Sequence, residues 1–205
     1  MTAETASTRT RAPGRPREFE MDEALDKAAR IFCERGFHAT SINELAEAME
    51  LTVGSIYKAF KDKRAVFLAA LERQMATRGA ALRVALDGAG DGRAKVRAAL
   101  DLYARVSHGS EGRIGCLVVG TAMELTTFDA EIAERVHGAL QKRQELLAGL
   151  IGQGQADGSI PAAVDTAATA RLLLCVLQGM RVLGKTSPAP DAMLSVANVA
   201  MKILD

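Results

Sequence analysis

Apolar residues recur three and four positions apart along this chain, without sustained alternation, which predicts helices throughout. Met21, Leu25, Ala28 and Phe32, with Ala24 and Ile31, mark a first helix over about 20–35. Gly36 follows as a residue that can take positive φ, and Phe37 can fold back onto the last turn. Ile42, Leu45, Ala46 and Met49 form the inward stripe of a short helix over 41–49, opened by Ser41 and Glu44 at capping-box spacing. After the break Glu50-Leu51-Thr52, Thr52 caps a third helix over about 53–60, and Asp62 caps a long fourth over about 63–86. Further helices are expected over about 93–108, 114–126, 129–155, 165–185 and 190–204, separated by breaker clusters such as Gly109-Ser110-Glu111-Gly112 and Ser187-Pro188-Ala189-Pro190. The expected fold is all-α, with about nine helices and no internal repeat or sustained heptad.

Residues 1–17 hold almost no large apolar side chain and read as a disordered basic arm. The next segment, 18–64, reads as a helix-turn-helix unit, and 65–205 as a C-terminal helical unit. The formal net charge of +1 announces no particular partner, but its distribution does. Segment 1–17 carries four Arg against one Glu, and 54–83 carries seven Lys or Arg against two acids. Local patches of this kind can supply phosphate contacts in a neutral chain. The three cysteines, Cys33, Cys116 and Cys175, are widely spaced, with no CxxC, which points to reduced thiols in a cytoplasmic protein. No metal-ligand cluster is readable, no cofactor is expected, and no apolar run reads as long enough to span a bilayer. His108 and His137 form no nucleophile–base pair with any neighbour, so an enzyme is not expected.

The stretch Thr40 to Lys63 carries the function. A short capped helix, a three-residue turn and a second short helix make a helix-turn-helix. Leu51, Ile56 and Phe60 lock the second short helix across the first. The remaining face, Thr52, Val53, Gly54, Ser55, Tyr57, Lys58 and Lys61, is left to project outward, and such a face fits a DNA major groove.

This stretch resembles the TetR family of bacterial transcriptional repressors, through Thr40-Ser41, Leu45-Ala46, Gly54-Ser55-Ile56-Tyr57, Phe60 and Lys63. The resemblance implies that Thr40 and Ser41 present hydroxyls and N–H groups to a phosphate. It implies that Tyr57 and Lys63 also contact the DNA backbone, while Gly54, Ser55 and Lys58 face bases. Two positions depart from the pattern. Glu50 stands where the family usually has Gly, at a turn position favouring left-handed backbone. Val53 replaces a polar or basic residue and would contact a thymine methyl. Arg15 and Arg17 of the arm are expected in a minor groove.

The resemblance further implies a homodimer through the last two helices, about 165–204, and a small-molecule effector that releases the DNA; no membrane partner is expected. Ala168, Leu172, Val176 and Gly179, then Met193, Val196, Val199, Ala200 and Ile203, are the expected interface stripes. Tyr103, Cys116, Met123, Phe128, Cys175, Gln178 and Met180 are the candidate effector contacts. Gln178 reads equally as a pocket amide or a solvent-facing one. Cys116 reads as an inert thiol ahead of a sensor, and Glu124 as a partly exposed helix-end carboxylate. The expected function is a ligand-responsive repressor on a palindromic operator; the alternative is a helical DNA-binding or protein-interaction module without an effector.

Overall fold

The computed structural model describes residues 17–205, with side chains described from Glu20 onward. The described residues form ten α-helices and a closing 3₁₀ turn: α1 (Arg17–Arg35), α2 (Ile42–Ala48), α3 (Val53–Ala59), α4 (Lys63–Asp87), α5 (Gly92–Arg105), α6 (Gly109–Ile114), α7 (Leu117–Glu124), α8 (Ala130–Asp157), α9 (Thr166–Gly184), α10 (Pro190–Met201) and Lys202–Leu204. The helix starts follow from capping chemistry. Ser41 and Glu44 close the reciprocal capping box, and Thr52, Asp62, Asp91, Asp129 and Asp165 each accept a first-turn N–H. Gly36 takes φ +83°, as a residue ending α1 must when the chain reverses.

The tenth helix is a correction. Gly109-Ser110-Glu111-Gly112 does not separate helices but starts α6. Gly112 is there for close packing: a Cβ on it would come within 2.7 Å of the Ser107 backbone. Short-range reading takes such a glycine for a breaker, because it cannot see the Gly184 carbonyl of α9, which would lie 3.1 Å from the same Cβ.

Two apolar clusters hold the chain together. The first gathers Phe32, Leu45, Ile56, Val66, Phe67 and Leu71 from α1 to α4, together with Leu117, Leu125, Ile132 and Val136 from α7 and α8. The second gathers Leu82, Leu86, Val96, Leu100, Leu147, Ile151, Leu173, Leu177, Met180, Met193 and Ala197 from α4, α5, α8, α9 and α10. Burying one such side chain fully contributes about 1.5–3 kcal/mol. Helix α4 serves both clusters, Val66 to Leu71 in the first and Leu82 and Leu86 in the second. A 25-residue helix spans roughly 37 Å at 1.5 Å per residue, so α4 is a continuous rod between them.

One helix among the described residues, α9, is long and apolar enough to cross a membrane by length and composition, with mean hydropathy 1.3. This corrects the expectation that no run reaches that length. Its inward face is packed on α8 and α5, and it carries Arg181 buried in the protein, as a core helix does. Its other face is apolar and open: Leu172, Val182 and Leu183 are exposed, as are Leu194, Val199 and Ile203 nearby in sequence on α10 and the final turn. Two members of the expected α10 stripe, Met193 and Ala200, instead point into the chain's own core.

Glu50 adopts φ +56°, the left-handed conformation expected of its turn position. It is held by an ion pair to Lys27 at 2.7 Å, yet is 76% exposed, where such a pair contributes at most about 1 kcal/mol. Left-handed backbone costs a non-glycine residue roughly 1–2 kcal/mol. Glu50→Gly is therefore expected to raise stability by about 0.5–1 kcal/mol, read as an increased urea midpoint. A fall in the midpoint would assign the Lys27 pair the larger part.

Candidate nucleic-acid interface and effector cavity

The interface is built on α3. Ile56 is fully buried and fixes the helix on the first cluster, and Phe60 and Leu51 pack beside it. That leaves Thr52, Gly54, Ser55, Tyr57 and Lys58 exposed on the outer side, with Lys61 exposed just beyond. Tyr57 is 54% exposed, unusual for an aromatic without a partner surface. The Thr52 and Ser55 hydroxyls lie 2.9 Å apart, and Thr52 accepts the Ser55 N–H at 3.1 Å, which sets the first turn. A Cβ at Gly54 would meet only the Thr52 hydroxyl at 3.9 Å, so this part of the surface is bare backbone. Val53 is half-buried against the first cluster.

Two expected contacts are used up inside the protein. Thr40 is 1% exposed and its hydroxyl donates to the Gly36 carbonyl at 2.7 Å, so it cannot reach a phosphate. Lys63 donates to the Phe37 and Thr40 carbonyls, each at 2.9 Å, and lies 4.3 Å above the Phe37 ring centroid. As the first residue of α4 its charge opposes the helix dipole, while the turn after α1 offers carbonyl oxygens. Lys63 ties α4 to that turn instead of facing solvent. Ser41 remains exposed, but Glu44 takes its N–H at 2.7 Å. Arg15 lies outside the described residues, and Arg17 is the first residue of α1 rather than part of an arm.

The charge excess counted over 54–83 is also largely spent. Arg64 makes a forked contact with Asp129 at 2.6 and 2.9 Å and reaches Glu131 at 2.7 Å. Arg73 pairs with Asp22 and Asp26, and Arg78 with Glu111. Of the seven cations, only Lys58, Lys61 and Arg83 are exposed with no ion pair among the described residues.

The head is joined to the remaining helices by side chains on backbone. Glu124, from α7, accepts the Phe37 N–H at 3.1 Å and the His38 N–H at 3.0 Å, capping the turn after α1. Lys185 donates to the Cys33 carbonyl at 2.9 Å. Glu124 is therefore the partly exposed helix-end carboxylate expected of it, outside the effector cavity, but tied to the head rather than free. The Arg64 guanidinium, with help from the Ile132 N–H, holds the Asp129 carboxyl down to about 2. A carboxyl depressed in the folded state contributes stability above its free value near 4 that is lost as pH falls toward 2. Asp129→Asn is expected to flatten the fall of the urea midpoint across that window. An unaltered pH profile would remove Asp129 from the acid response.

A cavity of about 680 Å³ lies among α4, α5, α7, α8 and α9. Three of the seven expected contacts, Tyr103, Cys116 and Gln178, line it. Four do not. Met180 is 1% exposed and packs in the second cluster, in register with Leu173 and Leu177. Cys175 lies on the opposite, exposed face of α9. Met123 and Phe128 are 80% and 81% exposed, because α7 turns Leu117 and Thr121 inward and Leu125 follows one turn later. Sequence reasoning missed Gln74, Arg78, Arg143 and Arg181, which do line it. The signal for Arg181 was its position three residues after Gln178, on the same face of an apolar helix. Gln74 joins cavity and head directly, accepting the Leu117 N–H at 2.8 Å and approaching the Cys33 sulfur at 3.6 Å. Burial pushes that Cys33 thiol up to about 11.

A capped helix-turn-helix on an all-α body with a cavity defines a helical transcriptional regulator of the DNA-binding class. The chain belongs to the TetR family: the profile of bacterial regulatory proteins, tetR family, matches residues 24–70, and the tetracyclin repressor-like C-terminal domain matches residues 92–199. It is 26% identical over 193 residues to the HTH-type transcriptional repressor ComR of Escherichia coli K12, covering 93% of this chain and 91% of that protein. It is 30% identical to a cysteine mutant of the TetR-family regulator CifR solved with 26-bp double-stranded operator DNA, with TM-score 0.82 over 94% of this chain and all of that one. A TetR regulator from Chloroflexus aurantiacus shares the fold at TM-score 0.82 and 23% identity, over 90% of this chain and 93% of that one.

Proposed function

We propose that this regulator is a cytoplasmic homodimeric repressor that binds a palindromic operator through α3 and is released by a small molecule held in the cavity. The observation that carries the DNA reading is the outer face of α3, where Gly54, Ser55, Tyr57 and Lys58 stand exposed on a helix anchored by the buried Ile56. The CifR complex with operator DNA supports the same use of the head. Tyr57, Ser41 and Lys61 contact phosphates, and Thr52, Val53, Gly54, Ser55 and Lys58 lie against bases. Arg17 at the start of α1, with Arg15 two residues before it in sequence, extends the contact into the adjacent minor groove.

The open apolar face of α9 and α10 supports the dimer. Leu172, Val182, Leu183 and Val199 are each more than 40% exposed, and a second copy of the same face would cover them. The two reading helices must then sit about one DNA turn apart, roughly 34–36 Å. An effector among α4, α5 and α8 acts on α4, the rod that also carries Lys63 and Arg64 to the head. It releases DNA only if it binds the two arrangements unequally.

Selection of binding sites from a random duplex pool tests the reading, with sedimentation of the recovered complex. Enrichment of a palindrome bound by two or more chains is expected. Recovery of no preferred sequence at physiological salt would end it.

A further inference from the structure

The cavity wall is apolar in most of its area, yet its charges are nearly all of one sign. Arg78, Arg83, Lys142, Arg143 and Arg181 line it, against Glu111 alone among carboxylates. Glu111 is taken by Arg78 at 2.5 Å. Among the described residues no carboxylate pairs with Arg143 or Arg181. Arg181 is 3% exposed, and its guanidinium donates to the Gly115 carbonyl and the Ser107 hydroxyl and lies against the Cys116 sulfur, with no carboxylate among its hydrogen-bond partners. Desolvation by this burial pushes its pKa down from the usual arginine value. A guanidinium held in a low-dielectric wall with no carboxylate bonded to it, and with the neighbouring Glu111 engaged by Arg78, is costly unless an anion comes to it. Arg143 rests on the Tyr103 ring at 5.8 Å, which orients it but leaves its charge unmatched. The Gln178 amide and the Tyr103 hydroxyl make no hydrogen bond among the described residues, and both line the same space.

We propose that the effector is an amphiphile with one anionic group, a carboxylate or its equivalent, held by Arg143 and Arg181 with its apolar body against Leu82, Val118 and Leu146. The volume suits a small molecule, and the apolar lining gives the body its affinity while the arginines select the charge. This inference rests on the reading of the cavity as the effector site. Arg181 lines the cavity from α9 and Arg143 from α8, while Gln74 and Leu82 line it from α4. An amphiphile held by the two arginines therefore shares the cavity with the inner face of α4.

The test compares octanoate, octan-1-ol and octylamine as probes of the full-length protein by titration calorimetry and thermal melting near neutral pH. Octanoate is expected to bind about tenfold more tightly than octan-1-ol, with octylamine weakest. Arg143→Gln removes a charge that supports no ion pair in the fold. It is expected to cost octanoate about tenfold in affinity and to leave octan-1-ol unchanged. Octan-1-ol or octylamine binding as tightly as octanoate would overturn the anionic class while leaving the cavity reading intact. So would an Arg143→Gln variant that binds octanoate as the parent does. If none of the three binds or shifts the melt, the cavity reading itself falls.

Discussion

Gly92→Ala is expected to destabilise the protein by about 3 kcal/mol, although alanine is the better helix former. Gly92 opens α5 against the middle of α8's last turns, and a Cβ there would lie 2.1 Å from the Gly154 nitrogen, 2.4 Å from its Cα and 2.7 Å from the Leu150 carbonyl. Every one of those atoms is backbone, so no side chain can rotate away. The helices must separate, and with them the Gly92 N–H bond to Asp157 and the Arg93 N–H bond to Ser159. For a chain of this size the melting temperature should fall by roughly 6–12 °C. Gly149→Ala is the control. It lies in the same helix α8, exposed, with nothing within 4 Å of an added Cβ. It should raise stability by about 0.5–1 kcal/mol through helix propensity alone. The two substitutions are chemically identical and opposite in expected sign. If Gly92→Ala melts like the parent, the close approach of α5 and α8 is not real.

Lys63→Met and Lys58→Met should separate a structural cation from a DNA-binding one. Lys63 satisfies two carbonyls of the turn that presents α2, so its loss should cost about 2 kcal/mol of stability. Operator affinity should fall as well, because Thr40 and the start of α2 lose their tie to α4, but the dependence of affinity on salt should hold. Lys58 is exposed and unpaired among the described residues, so Lys58→Met should leave stability within about 0.5 kcal/mol. Its effect should be a weaker operator complex with a different salt slope if phosphate is its neighbour, reduced by about one, or relaxed base preference if guanine is. Melting curves and anisotropy titrations at several salt concentrations read both. A Lys63→Met variant that melts normally but binds with a reduced salt slope would return Lys63 to the DNA backbone.

The Lys63 case marks where family resemblance and structure part. A residue type at a motif position tells which atoms are available, not which partner claims them. Thr40 and Lys63 have their donors taken by carbonyls within the fold, and Arg64, Arg73 and Arg78 by acids as far as 67 residues away. Linear charge counting could not see those acids, and so it overstated the basic surface beside α3. The Tyr57, Lys58 and Lys61 side chains stayed exposed because Val53, Ile56 and Phe60 satisfy the packing of that short helix from its other side.

By itself, the chain's order of residues determined the helices, their caps and the outward side of α3. Those depend on spacings of three and four and on side chains that reach backbone a few residues away. The left-handed turn at Glu50 belongs to the same local class. Tertiary structure alone decided the short helix α6, the staple at Lys63 and the cap that Glu124 places on a turn 86 and 87 residues distant. It also decided which side chains line the cavity, since Met180 and Cys175 lie on one helix with Gln178 yet face a core and an open surface. Periodicity says which residues share a face. It does not say what that face meets, because burial and counter-charge are supplied by other helices once the chain has closed.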